Sequence, residues 1–145
     1  MLVHSASGKA IIDPRISYLY GSFYIYGLQQ LLGNENVLFS LSPFRELGEP
    51  GWNMRFIIRD GTVTTKYFIH TNDTCHIQQA DYDWCDIYGS VNANYTQYPR
   101  SQYPKLVSLV PSFGIRAMDF MPTMQLALSN FCKAPKSVLA RTEWN

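Results

Sequence analysis

A three-layer α/β domain with a largely parallel sheet is what this sequence predicts, and three observations carry the prediction. Two apolar runs, Trp84 to Val91 and Lys105 to Val110, empty into small, polar and glycine residues, the way strand ends of an open α/β sheet border a ligand crevice. A long segment with apolar residues at three- and four-residue steps precedes several short β-rich runs, so helical and extended patterns occur in one chain. With 145 residues, 46% hydrophobic and 14% aromatic, the chain is long and apolar enough to bury one core, which excludes a disordered segment.

Asp13-Pro14 opens the first clear element, because aspartate is a good N-cap and proline suits the first helical position. Ile16, Leu19, Tyr20, Phe23, Gly27, Leu28 and Leu31 then form one apolar stripe, and Gly33-Asn34 stops the helix. Gly27 lies on that stripe, where it signals either close approach to the sheet or simple tolerance. Asn36 to Leu41 reads as a short buried strand ended by Ser42-Pro43, and Arg45 to Trp52 as loop. Met54 to Ile58 and Thr62 to Ile69 are β-rich runs around Arg59-Asp60-Gly61, read either as a hairpin at one edge of the sheet or as a peripheral first strand with only the second run reaching the centre. Asp73 or Thr74 caps a short helix ending near Trp84, and Cys85 to Val91 is the next strand. Asn92 to Pro104 carries Tyr95, Tyr98, Tyr103, Pro99 and Pro104, a proline density that excludes regular structure. Leu106 to Val110 is the last strand, and a final helix runs from Thr123 toward Arg141, with Pro122 near its start and Pro135 breaking or kinking it.

Twelve basic and eleven acidic residues leave a formal net charge of +1, too weak a field to make nucleic acid or an anionic membrane the main partner. Three cysteines, Cys75, Cys85 and Cys132, leave at least one unpaired, and the opening residues lack the order of a secretory signal, so a cytoplasmic location is expected. The sequons at Asn72 and Asn94 are then chance matches. Ile16 to Leu32 falls short of the ~20 predominantly apolar residues of a bilayer span.

Asp86 and Asp73 are the carboxylates placed by sequence to face a crevice, where either could act as a general base. The alternative reading makes Asp73 a helix cap and Asp86 a surface residue. Pro111-Ser112-Phe113-Gly114 offers a hydroxyl and a close backbone N–H, or simply a turn; Arg116 offers a planar fork for an anion, or a solvated surface charge. The tyrosine-rich connection suits the apolar faces of sugar rings, while the chain lacks the basic groove that single-stranded bases would need. Cys75-His76 with Cys85 and His70 matches no compact zinc spacing, so no metal and no cofactor is expected.

Tyr24-Ile25-Tyr26-Gly27-Leu28 with Leu32-Gly33, Val37-Leu38-Phe39, Pro43-Phe44, Trp84 to Gly89 with Val91-Asn92, and Pro111 to Ile115 together resemble bacterial glycosyltransferases of surface and capsular polysaccharide biosynthesis. The resemblance implies the GT-B class, with two Rossmann-like domains across a cleft, and makes this chain the amino-terminal, acceptor-side domain. With the candidate base at Asp86 or Asp73, the candidate substrate contacts are Tyr88, Gly89, Asn92, Ser112, Phe113, Gly114 and Arg116. The implied partners are a glycan or lipid-linked sugar acceptor, and a nucleotide sugar only with a second domain, with peripheral membrane association of the full-length enzyme. Where the family often carries lysine this chain has Ser90, and the donor-binding half is absent, so the chain alone is expected to be inactive. The other reading is a non-catalytic module that binds glycan or protein through Asn92 to Pro104.

Overall fold

The computed structural model describes residues 8–74, 76–110 and 120–133. In chain order these form β1 (Lys9–Ile12), α1 (Tyr18–Leu32), β2 (Val37–Phe39), β3 (Met54–Asp60), β4 (Val63–His70), α2 (Gln79–Trp84), β5 (Ile87–Ser90), β6 (Leu106–Ser108) and α3 (Phe120–Lys133). The strands make one mixed sheet in the order β2-β1-β3-β4-β5-β6. The pairs β1–β2, β4–β5 and β5–β6 are parallel, and β3 is antiparallel to both β1 and β4. Five strands therefore point one way and β3 alone runs back. The fold is α/β, and its parallel pairs predominate as the sequence predicts.

The hairpin departs from expectation in its position. It is not an edge feature: β3 and β4 occupy the middle of the sheet. Their two-residue connection is Gly61-Thr62 between paired Asp60 and Val63, with Gly61 at φ +57°, the first turn position where hairpin turns require glycine. Phe56 and Tyr67 stack across the pair at 4.7 Å, and the first four residues of β3 are buried, which is the pattern of a central strand.

Neighbouring strand residues face opposite sides, so the sheet buries two separate cores. One contains Ala10, Ile12, Val37, Met54, Phe56 and Ile69 under Ile25, Leu28 and Leu32 of α1. The other contains Phe68, Tyr88 and Leu106 against Ile77, Tyr82 and Cys85 around α2. Burial pushes the Cys85 thiol up to about 12, which keeps it in the protonated, unreactive form at neutral pH.

Three local expectations are corrected. Asp13 is not a helix cap: α1 begins after Ser17, and Asp13 is fully buried in ion pairs that its short side chain makes beyond the end of β1. The buried face of α1 is Gly21, Ser22, Ile25, Leu28 and Leu32, whereas Leu19 and Leu31 are exposed. Small residues turn this face inward because Gly21 must fit against Ile16 and Met54, which an added Cβ would meet at 3.1 and 3.8 Å. Asp73 and Thr74 do not cap α2, which begins after Gln78.

Gly27 lies on the solvent side of α1, and a Cβ there meets nothing within 4 Å. Gly27→Ala should therefore stabilise the domain by about 0.4–1 kcal/mol, through the reduced freedom of the unfolded chain, and raise the melting temperature in calorimetry.

Candidate functional site

The strand order reverses beside β1: the chain moves outward from β1 to β2, then returns to build the other side of the sheet. In open α/β sheets a ligand crevice forms outside the carboxyl ends of strands at such a reversal. Here the ends of β1 and β4 flank the start of β3, so this edge of the sheet carries Asp13, the Trp52-Asn53 segment and His70-Thr71, of which Trp52 alone is exposed. Farther along the same edge come Ser90, the last residue of β5, with Val91 and Asn92 after it, and Ser108 at the end of β6.

This edge is closely tied. The Asn53 carboxamide oxygen accepts the Thr71 N–H at 3.1 Å, and the Thr71 hydroxyl donates to the Trp52 carbonyl at 2.8 Å. The Val91 N–H donates to the His70 carbonyl at 3.2 Å, and the Asn92 side chain donates to the Asn72 carbonyl at 3.2 Å. Each bond joins one strand end to the next, so the loops above β3, β4 and β5 form one rim.

Below the rim lies a buried charge network. Arg15 forks onto Asp13, with Nε to Oδ1 at 2.9 Å and Nη2 to Oδ2 at 2.8 Å. The same guanidinium donates to the Phe44 and Leu47 carbonyls, at 2.9 and 3.1 Å. Arg55 projects from β3 to Asp81 of α2 at 2.6 Å, donates to the Gly48 carbonyl, and stands 3.7 Å from Asp13. Two cations and two carboxylates thus neutralise one another and pin the loop between β2 and β3 through its carbonyls. The hydrogen bond to Asp13 raises the Arg15 pKa above its ordinary value despite burial.

His70 is 2% exposed, stacked on Phe68 and tilted against Tyr88. Burial, with help from the nearby His76, lowers its pKa below the ordinary 6.5, and Asp81 opposes the shift. An unfolded chain then binds a proton that the native imidazole refuses, so stability should fall as pH drops below about 6.5 toward the depressed native value. Urea midpoints measured between pH 7.5 and 5 should show this slope, and His70→Phe should flatten it.

The residues expected from sequence divide between the two ends of the sheet. Asp73 is exposed just past β4 on the crevice rim, and Asn92 is on the same rim. Asp86 precedes β5, so ~13 Å of strand separates it from that rim. Its carboxylate accepts the Lys66 N–H at 2.8 Å, which closes the opposite end of the β4–β5 ladder. Tyr88 is wholly buried, and its hydroxyl accepts the Gln78 N–H at 3.2 Å. Gly89 is buried under Leu109 and Ile69. Ser112, Phe113, Gly114 and Arg116 lie outside the described residues.

Sequence reading missed Trp52, Asn53, Arg55 and Asp81, and weighed His70 only as a metal ligand. The available signal was a lone arginine in the apolar run Met54 to Ile58, since a charge on a central strand requires a buried partner.

The tyrosines of the 92–104 connection pack inward. Tyr98 and Tyr103 meet edge to face at 5.1 Å, Tyr103 meets Tyr82 at 5.5 Å, and the Tyr95 hydroxyl accepts the Ser108 N–H at 2.8 Å. Arg100 lies over Tyr95 and donates to its hydroxyl, which lowers that phenol's pKa. These rings cover the second core, a role that competes with stacking on a sugar.

No helix among the described residues is long and apolar enough to cross a membrane. Comparison of the chain with protein-family models, curated proteins and solved structures returned no match.

Proposed function

We propose that this domain is the acceptor-side, Rossmann-like half of a GT-B glycosyltransferase that moves a sugar from a nucleotide-sugar donor to a polysaccharide or lipid-linked acceptor. The observation that supports the reading is the reversal of strand order beside β1, the kind of place where open α/β sheets take ligand, with an exposed carboxylate, Asp73, on the same edge. Adjacent parallel β5 and β6 add their ends to the same edge.

Within this reading the acceptor lies along the rim, and Asp73 takes the proton from its attacking hydroxyl, a step for which its exposed carboxylate is free to approach. Asp86 is a poor second choice because its carboxylate is spent on the Lys66 N–H at the far end of β5. The donor and its phosphates belong to a second domain facing the crevice.

The test is transfer of radiolabelled sugar by this domain combined with a donor-binding α/β domain. Asp73→Asn should lower the rate at least about 100-fold, the usual scale of a general base, while Asp86→Asn leaves it within a few-fold. Absence of transfer from every nucleotide sugar tried, with both domains folded, overturns the reading.

A further inference from the structure

Trp52 is a large aromatic side chain left 40% exposed at the reversal point of the sheet. Its placement is over-determined by its surroundings. The segment Pro50 to Asn53 is a turn closed by the Asn53 N–H to the Pro50 carbonyl at 3.1 Å, and Gly51 takes the φ of +61° that this turn needs and that other residues resist. Trp52 stands at the turn's tip. Its carbonyl is held by the Thr71 hydroxyl, and buried Asn53 holds the Thr71 N–H, so the turn is fastened to the end of β4 on two sides. Tyr20, at the start of α1, braces the indole edge to face at 5.2 Å.

An exposed indole set this firmly, with its own carbonyl and the neighbouring Asn53 already bonded, is shaped as a platform. The surroundings decide what it fits. Asn72, Asp73 and Asn92 are exposed polar residues on the adjoining rim, joined to the Trp52 turn through Thr71 and through the Asn92 to Asn72 bond. The loop leading to Trp52 carries exposed Glu46 and Glu49 against one exposed cation, Arg45. With Asp73 this makes the neighbourhood acidic, which repels phosphate and carboxylate ligands. The polar rim also deprives an apolar protein side chain of the contiguous patch it would need. A pyranose satisfies both conditions: its C–H face carries partial positive charge and packs on the negative face of the indole, while its rim of hydroxyls hydrogen-bonds to amides and carboxylates.

We propose that Trp52, braced by Tyr20, with Asn72, Asp73 and Asn92 farther along the same rim, is a stacking subsite for one uncharged sugar ring of a glycan. This rests on the acceptor-side reading above and extends it by naming the ring-binding residue and the chemistry of the acceptor unit. It also separates the two aromatic groups of the chain: the tyrosines of the 92–104 connection seal the core, and the indole at the reversal point meets ligand.

The experiment follows the indole N–H resonances of the ¹⁵N-labelled domain during titration with cellotriose, maltotriose and chitotriose. The Trp52 resonance is identified by its loss in Trp52→Phe. At least one trisaccharide should shift it, while the resonance of Trp84, packed on Phe44 at 5.8 Å, stays in place. Sorbitol, which has the hydroxyls without a ring face, should leave both unchanged. Trp52→Ala should weaken binding at least tenfold and Trp52→Phe less, because phenyl keeps a smaller platform. The carbonyl held by Thr71 survives either change, and circular dichroism verifies the fold.

A Trp52 resonance unmoved by all three sugars, or an affinity indifferent to Trp52→Ala, overturns the subsite. The transfer assay is read separately. Trp52-dependent binding with no transfer in the two-domain mixture keeps the subsite and removes the enzyme reading. Transfer that does not depend on Trp52 does the reverse.

Discussion

Arg55→Met should cost the domain about 3–5 kcal/mol, the usual penalty for removing one partner of a buried ion pair. Arg55 is 3% exposed, and its guanidinium is the only group among the described residues hydrogen-bonded to the Asp81 carboxylate, itself 4% exposed. Methionine fills much of the same volume, so the loss comes from an uncompensated buried carboxylate and from the freed Gly48 carbonyl, with little contribution from a cavity. Against a typical total of 5–15 kcal/mol, such a loss leaves a marginal fold, and the urea midpoint should fall accordingly.

The partner substitution sharpens the test. Arg55→Met combined with Asp81→Leu removes both charges, and Asp13 keeps its fork from Arg15. The double variant should therefore be more stable than Arg55→Met alone, because a well-packed apolar pair replaces an ion pair at far less cost than an orphaned charge. Equal stability of the single and double variants would mean that Asp81 is already satisfied without Arg55, contrary to this account. Loosening of the 44–48 loop is expected in both, since its carbonyls lose one of their two arginines.

Much of this fold is written in short-range pattern. The strand runs around Val37, Met54, Thr65, Ile87 and Leu106 are legible because β-branched and aromatic residues cluster between turn residues, and Asp60-Gly61 marks the hairpin. Long-range pairing is not legible in the same way. β1 is only Lys-Ala-Ile-Ile, and it is a strand because β2 and β3 hold it on both sides. The hairpin signal in 54–69 specifies a turn and two strands, yet nothing local says that the pair fills the centre of the sheet. Asp13-Pro14 carries a sound capping signal, and Asp13 Oδ1 does accept the Arg15 N–H at 3.0 Å, but this closes a turn ahead of α1 while the same carboxylate holds the Arg15 fork and faces Arg55.

The site divides along the same line. Asn92 could be placed on a rim because it follows an apolar run into polar residues. Trp52, Asn53 and Thr71 could not, because they meet only once the hairpin sits between β1 and β4. Asp86 shows the cost of judging a carboxylate by its nearness to a strand: residues at the start and finish of one strand face opposite edges of the sheet.

Gly89→Val should cost roughly 1–3 kcal/mol, the range for forcing extra carbon into a filled core. Gly89 is among the candidate substrate contacts, whereas the space where its side chain would stand holds Leu109 and Ile69. An added Cβ meets Leu109 within a clashing distance and Ile69 at 3.0 Å. Alanine asks that the Leu109 and Ile69 side-chain ends both give way, and so should cost less; valine adds two further methyl groups to the same filled space. Leu109→Ala alone opens a cavity, but in the presence of Gly89→Ala the new methyl occupies part of it. The two changes together should therefore cost less than the sum of their separate losses by about 0.5 kcal/mol or more, read from four urea melts in a double-mutant cycle. Simple additivity would place Leu109 away from Gly89 and restore the glycine as a candidate for close ligand approach.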